Sequence, residues 1–115
     1  MSARARRRDD AAERAALFAA LGEPARLRIV DRLCRGGPQS IARLTEGARI
    51  TRQAVSKHLD ALAAAGLVRG ERAGRERVYE LDTARLAHAR RCLERISRDW
   101  DGALERLRAL VERED

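Results

Sequence analysis

The stretch TRQAVSKHLDALAAAGLV, residues 51–68, decides the fold. At helical spacing Ala54, Val55, Leu59, Leu62 and Ala63 share one face, which predicts a helix with that face on a core. Thr51 is a natural N-cap and Gly66 a natural stop. The opposite face carries Arg52, Gln53, Ser56, Lys57 and Asp60. Its first residues are all hydrogen-bonders, and no acid appears before Asp60, two turns in. A core explains half of this helix; the other half faces either solvent or a partner that attracts cations.

The chain as a whole favours the partner. Lys and Arg number 25 against 18 Asp and Glu, a net charge of +7 in 115 residues, which suggests a polyanion. The charge is not spread evenly. Between Arg49 and Tyr79 stand seven cations (Arg49, Arg52, Lys57, Arg69, Arg72, Arg75, Arg77) and three anions (Asp60, Glu71, Glu76). Between Arg98 and Asp115 the balance reverses, with four cations and six anions. Lys57 is the sole lysine, so the cations are almost all the side chain whose planar fork matches phosphate and guanine.

Length predicts one domain, and the 44% hydrophobic fraction is largely alanine, with 3% aromatics. Such a core suits closely packed helices and is thin for a lone monomer. No apolar run is long enough for a membrane span, and MSARARRRDD lacks the apolar stretch of a signal peptide, so a cytoplasmic protein is expected. Cys34 and Cys92 form neither a disulfide framework nor a metal-type pair. There is no nucleophile–base pair, phosphate loop or ligand cluster, so the chain is read as no enzyme and as binding no cofactor or metal.

Along the chain, residues 1–8 read as a disordered basic arm. A first helix is expected from Asp9 or Asp10 to Leu21, with Ala12, Ala16, Leu17 and Ala20 on one face. Gly22 ends it, Pro24 opens a second helix through Cys34, and Leu27, Val30 and Leu33 are expected to face inward. Gly36-Gly37-Pro38 is a stop, and a short third helix over residues 40–46 would bury Ile41 and Leu44. After Gly66 the period changes. LVRGERAGRERVYEL predicts a two-stranded hairpin, strands at about 67–72 and 76–81, with an arginine-rich tip. From Thr83 to Glu112 a heptad runs through Leu86, Leu93, Trp100 and Leu107, with Ala89, Ile96, Ala103 and Leu110 between. A helix of roughly 45 Å exceeds what this small domain needs, and a second copy of the chain is the economical partner for its seam. Expected interface residues are Leu17, Leu86, Leu93, Ile96, Trp100, Leu104 and Leu107. A fold-back on the first helix, or a helix of another protein, would use the same seam.

Helix, short helix, turn, helix and hairpin is the layout of a winged helix-turn-helix over residues 9–82, followed by a dimerisation helix over 83–115, a mainly α chain of five helices in all with a two-stranded wing. The segments LFAALGEPARLRIVDRL, IARL, TRQAVSKHLDALAAAGLV and RVYELD resemble the ArsR-type winged-helix transcriptional repressors. The resemblance covers residues 17–82 and rests on Gly22-x-Pro24-x-Arg26-Leu27-x-Ile29, on Val55-Ser56-x-His58-Leu59 and on Gly66-Leu67-Val68. It implies a cytoplasmic homodimer that binds an imperfect palindrome in double-stranded DNA. Metal-sensing members carry Cys-x-Cys on the third helix; here Ala42, Arg43 and Thr45 stand there. His88 is surrounded by Arg90, Arg91 and Arg95, a poor setting for a divalent cation. The resemblance is therefore to the non-metal branch, whose inducer the sequence does not name.

On this reading Thr51, Arg52, Gln53, Ser56, Lys57 and His58 belong to a recognition helix entering the major groove, with Thr51 first a cap and His58 either packed or on a phosphate. Arg72, Arg75 and Arg77 at the wing would meet the backbone or a minor groove, or simply discourage edge pairing. Arg4, Arg6, Arg7 and Arg8 would serve as a minor-groove arm or as a solvated tail. Cys34 and Cys92 are read as small buried hydrophobes, or as a thiol switch of the kind found in some relatives.

Overall fold

Five helices and three strands follow in order: α1 (Ala3–Leu21), α2 (Pro24–Gly36), β1 (Gln39–Ser40), α3 (Ile41–Thr45), α4 (Arg52–Ala64), β2 (Val68–Ala73), β3 (Glu76–Leu81) and α5 (Thr83–Glu114). The computed structural model describes the backbone of residues 3–114 and the side chains of Ala3 and of residues 10–113. Helix α1 begins at Ala3, where an arm was expected to run on to Arg8, so the backbone of residues 3–8 continues the helix. The arm's first two residues, and the arginine side chains proposed for a minor groove, lie outside the described residues.

The core forms where the apolar stripes of α1, α2, α3 and α4 meet the base of the hairpin. Leu17, Ile29, Leu33, Leu44, Val55, Leu59, Leu62, Leu67 and Tyr79 are all buried in it, and Leu86 and Ala89 bring in the start of α5. Leu17, expected at a subunit interface, is 2% exposed within the core of its own protomer. Leu27, expected inside, is 54% exposed, and Ile29 takes its place. Steps of three residues fall about 60° short of a helical turn, so the row 33–30–27 curls out of the core. Ala12, Ala16 and Ala63 are likewise exposed, because alanine marks no face clearly.

Each helix end has a local cause. Glu23 caps α2 by accepting from Arg26 N at 3.1 Å, with Pro24 in the first turn. Ser40 accepts from Arg43 N at 3.1 Å to start α3. Helix α4 ends in a paired closure: Gly66 N donates to Ala63 O at 2.9 Å and Leu67 N to Leu62 O at 3.0 Å. Gly66 has φ +78°, which strains any other residue, whereas a Cβ there would meet only the flexible Arg85 side chain, 2.8 Å from its Nε. Leu62 and Leu67, which flank the closure, are fully buried and lock the exit direction of the chain.

The sheet has three antiparallel strands in the order β1-β3-β2, one more than the expected hairpin. The added strand is two residues, Gln39 opposite Tyr79 and Ser40 opposite Val78, too short for any alternation to reveal it. In the hairpin Val68 faces Leu81 and Arg72 faces Arg77, one residue later on β2 than expected.

Arg32, from the middle of α2, closes the helix-turn-helix. Its Nη1 donates to the carbonyls of Leu44 and Glu46 at 2.7 and 3.0 Å, and its Nη2 to that of Arg43 at 2.8 Å. Its own carbonyl accepts from Gln39 Nε2 at 2.8 Å. Arg32→Met keeps the apolar stem and removes the fork. It is expected to lower the unfolding free energy by about 2 kcal/mol, read as an earlier urea midpoint with an unchanged slope.

Candidate nucleic-acid interface

Thr51 starts α4 as expected. Its side-chain oxygen accepts from Ala54 N at 3.1 Å while its backbone is extended, so the hydroxyl oxygen is already in use as a cap. From that start α4 buries Val55, Leu59 and Leu62 and turns Arg52, Gln53, Lys57 and Asp60 to solvent, with Ser56 half-exposed beside them. None of Arg52, Gln53, Ser56 or Lys57 has a hydrogen-bond or ion-pair partner among the described residues.

Five other arginines are paired with carboxylates. Arg35 pairs with Asp31, Arg69 with Glu80, Arg85 with Glu13, Arg90 with Glu94 and Arg108 with Glu112, at 3.1–3.7 Å. Such exposed pairs contribute little stability, but they neutralise charge. On the recognition face and the wing tip the cations Arg52, Lys57, Arg72 and Arg75 have no such carboxylate. Arg72, Arg75 and Arg77 are all exposed, and Arg77 lies over the Tyr79 ring, 5.7 Å from its centroid. The wing follows α4 directly through Gly66 and Leu67, and its base is held in the core by Val68 and Tyr79. The recognition helix and the wing thus leave a common buried base with their cations unmatched.

His58 does not share that exposed face. It is half-buried, with Nδ1 3.4 Å from Arg26 Nε and 3.7 Å from Glu23 Oε2. Arg26 also reaches the Ala20 carbonyl at 3.5 Å. His58 therefore ties α4 to the corner between α1 and α2 and positions the helix. Sequence reasoning weighed packing for His58 but missed the Arg26 contact to it, 32 residues away, and the Arg32 fork, which reaches 11 to 14 residues along the chain. Asp82, which precedes the last helix, accepts from Arg85 N at 3.1 Å and caps α5.

The cysteines are not a pair. Cys34 is exposed, contrary to its expected burial, and Cys92 is 3% exposed. Cys92 Sγ lies 3.9 Å from both His88 Nε2 and Arg95 Nη2. Among the described residues no group of three or more His, Cys, Asp or Glu is arranged to hold a metal ion, and no helix is long and apolar enough to cross a membrane.

Beyond its first turns α5 leaves the body of the protein. Leu93, Ile96, Trp100, Leu104, Leu107, Leu110 and Val111 are each about half exposed or more, Trp100 at 66%. Leu86, expected at the same interface, is half-buried against the protomer core. The radius of gyration is 19.1 Å, against about 13 Å for a compact chain of this length, which reflects the projecting helix.

Residues 13–71 match the helix-turn-helix domain family. The chain is 39% identical over 95 residues to the HTH-type transcriptional regulator Rv2034 of Mycobacterium tuberculosis, covering 83% of this chain and 85% of that one. It belongs to the ArsR-type helix-turn-helix transcriptional regulators. A solved ArsR-like transcriptional regulator from Rhodococcus sp. RHA1 superimposes with a TM-score of 0.75 at 39% identity, over 89% of this chain and 95% of that one. The HTH-type transcriptional repressor SmtB of M. tuberculosis is 42% identical over 72 residues, which is 63% of this chain and 53% of SmtB. A homodimeric winged helix-turn-helix DNA-binding domain from Mycobacterium bovis matches with a TM-score of 0.63 at 25% identity, over 91% and 92% of the two chains. The architecture is thus that of a DNA-binding regulator of this family.

Thr51→Ala removes the cap of α4 and is expected to cost about 1 kcal/mol. Thr51→Ser, which keeps the accepting oxygen, should stay near wild type in the same denaturant titration.

Proposed function

We propose that this ArsR-type regulator is a cytoplasmic repressor that binds an imperfect palindrome in double-stranded DNA as a homodimer, without a metal. The observation that carries this reading is the exposed face of α4, where Arg52, Gln53, Ser56 and Lys57 stand uncommitted and no acid precedes Asp60. Gln suits adenine, and Arg or Lys suits guanine, each good bidentate pair giving about 1–3 kcal/mol of discrimination. Arg72, Arg75 and Arg77 at the wing act on the phosphate backbone, where attraction is independent of sequence. The α5 stripe from Leu93 to Leu107 is covered by a second copy, and the homodimeric relative supports that choice of occupant. Two recognition helices then enter successive major grooves about 34–36 Å apart. The repressor direction is supported by the name of the relative SmtB. A thiol-gated form of the same scaffold would need an oxidant to reach Cys92, which is buried, so a thiol gate is not favoured.

The test is fluorescence anisotropy with the DNA upstream of the protein's own gene, against scrambled DNA, at two salt concentrations. A preference of about a thousandfold or more is expected; equal, steeply salt-sensitive binding to both would contradict specific readout. Arg52→Ala and Gln53→Ala are expected to narrow the gap between the two DNAs. Arg75→Ala should weaken both alike and reduce the salt slope by about one. If all three variants lost specific and scrambled binding equally, α4 would not be the readout helix.

Sedimentation equilibrium tests the occupant of the seam. The wild-type chain is expected to sediment as a dimer and Ile96→Asp as a folded monomer, because Ile96 is exposed in the protomer. A monomeric wild type would favour a helix of another protein on the seam.

A further inference from the structure

Between α2 and the turn that leads into α4 lies an open cleft of about 540 Å³. One face of α2 lines it with Ala25, Arg28, Ile29 and Arg32, at i, i+3, i+4 and i+7 spacing. Leu44 of α3 and Val55 of α4 complete the floor, and Arg49 and Ile50 line it from the turn. Ala25, Ile29, Leu44 and Val55 are buried, so the floor is apolar, while Arg28 and Arg49 on the rim are exposed. Neither rim arginine has a hydrogen-bond or ion-pair partner among the described residues. Arg32 is held by carbonyls alone, which use its donors and leave its charge unneutralised. The carboxylate in the lining is Glu46, against three guanidinium groups. An apolar floor of this volume with a few convergent charges is the usual make-up of a small-molecule site.

We propose that this cleft binds a small amphipathic monoanion, a carboxylate on an apolar body, and that its occupancy changes the affinity of α4 for DNA. The apolar body lies against Ile29 and Ile50, above the buried Leu44 and Val55, and the carboxylate is held between Arg28 and Arg49, where forked guanidinium–carboxylate bonds are strong. A small inorganic anion would leave the floor wet, and a neutral apolar molecule would leave the rim cations unmatched. The coupling to DNA has a direct route. Arg28 is on α2, Arg49 is in the turn, and the turn ends two residues later at Thr51, the cap of α4. A ligand that bridges the two arginines fixes the spacing between α2 and the start of the recognition helix. It shifts DNA affinity by as much as its own affinity differs between the free and DNA-bound spacings. The inference rests on the reading of the chain as a DNA-binding regulator for its second half, while binding in the cleft stands apart from it.

The experiment uses the full chain with biphenyl-4-carboxylate as the probe and biphenyl-4-carboxamide as the uncharged control. Amide chemical shifts are followed first in the absence of DNA. Saturable shifts confined to residues 25–32 and 44–55 are expected. Binding should be about tenfold weaker in the double variant Arg28→Gln, Arg49→Gln, whose exposed, unpartnered side chains make its folding safe. Shifts centred on the α5 stripe, equal affinity for the carboxamide, undiminished binding by the double variant, or no saturable binding up to millimolar probe would each overturn the site. Anisotropy with the upstream DNA then tests the coupling. A change of about fivefold or more at saturating probe is expected, and an unchanged affinity would overturn the gating. If the wild-type chain binds no DNA, the regulator reading fails, and the gating with it, while the shift map still decides the site.

Discussion

Arg32 holds together the part of the molecule on which everything else depends. Helix α3 has five residues, too few to sustain itself, because a first helical turn costs more order than its hydrogen bonds return. Its last carbonyls look outward to the turn that leads to α4, where Glu46 N donates to Arg43 O at 3.2 Å and Ala48 N to Thr45 O at 3.0 Å. The Arg32 fork takes the carbonyls of Arg43, Leu44 and Glu46, while its own carbonyl takes the Gln39 amide at the start of the same unit. One residue of α2 therefore clasps α3 at both ends. A lysine in its place would offer a single point of charge where the structure uses a planar fork. The end of α3 and the first residue beyond it are consequently held from α2.

The sequence was legible where the cause is local. The Thr51 cap, the Gly66 stop and the Pro24 start are each decided within four residues, and each falls where the spacing put it. The wing was readable from its apolar flanks, with a shift of one residue on β2, because charged residues at its centre carry no alternation. What could not be read is what depends on distant partners. The Arg32 clasp, the Arg26–His58 contact and the Gln39 strand each join segments far apart in sequence, and an arginine that caps a remote helix looks in sequence like any other surface cation. Alanine misled for a different reason: Ala12, Ala16 and Ala63 are apolar by type yet small enough to sit on any face. At the candidate interface the residue types were legible, but which of them stay uncommitted was not. His58 shows the difference, since it sits within the recognition helix by sequence yet spends its side chain on the α1–α2 corner.

The pairing of some arginines and not others also bears on how the net charge is carried. A chain at +7 repels itself, and ion pairs along α5 and at the base of the wing relieve that where no partner is needed. Cations without carboxylates lie on α4, at the wing tip and on the rim of the α2 cleft, and Arg43 on α3 and Arg91, Arg98 and Arg106 on α5 also lack one among the described residues. Concentrating unpaired charge costs some stability in the free protein, and that cost is recovered only when an anion arrives. A polyanion suits α4 and the wing, where the lining is polar throughout. The cleft differs because its floor is apolar, which separates it chemically from a phosphate contact.

The last helix connects these regions mechanically. Asp82 donates its N–H to the Leu67 carbonyl at 2.8 Å and caps α5 with its carboxylate. Leu67 is itself the residue that closes α4, donating to Leu62. The end of the recognition helix and the start of the projecting helix are thus two bonds apart, across a fully buried leucine. Leu86, Ala89 and Cys92 seat the first turns of α5 in or against the protomer core, so the helix projects from a packed base. On the proposed dimer, pairing along the exposed stripe therefore sets the separation of the two α4 helices through packed side chains alone. Anything that tilts α4 within one protomer, including a ligand wedged between α2 and the turn at Arg49, would act against a spacing already fixed by α5. That opposition is what would turn a small local displacement into a loss of simultaneous contact with two half-sites.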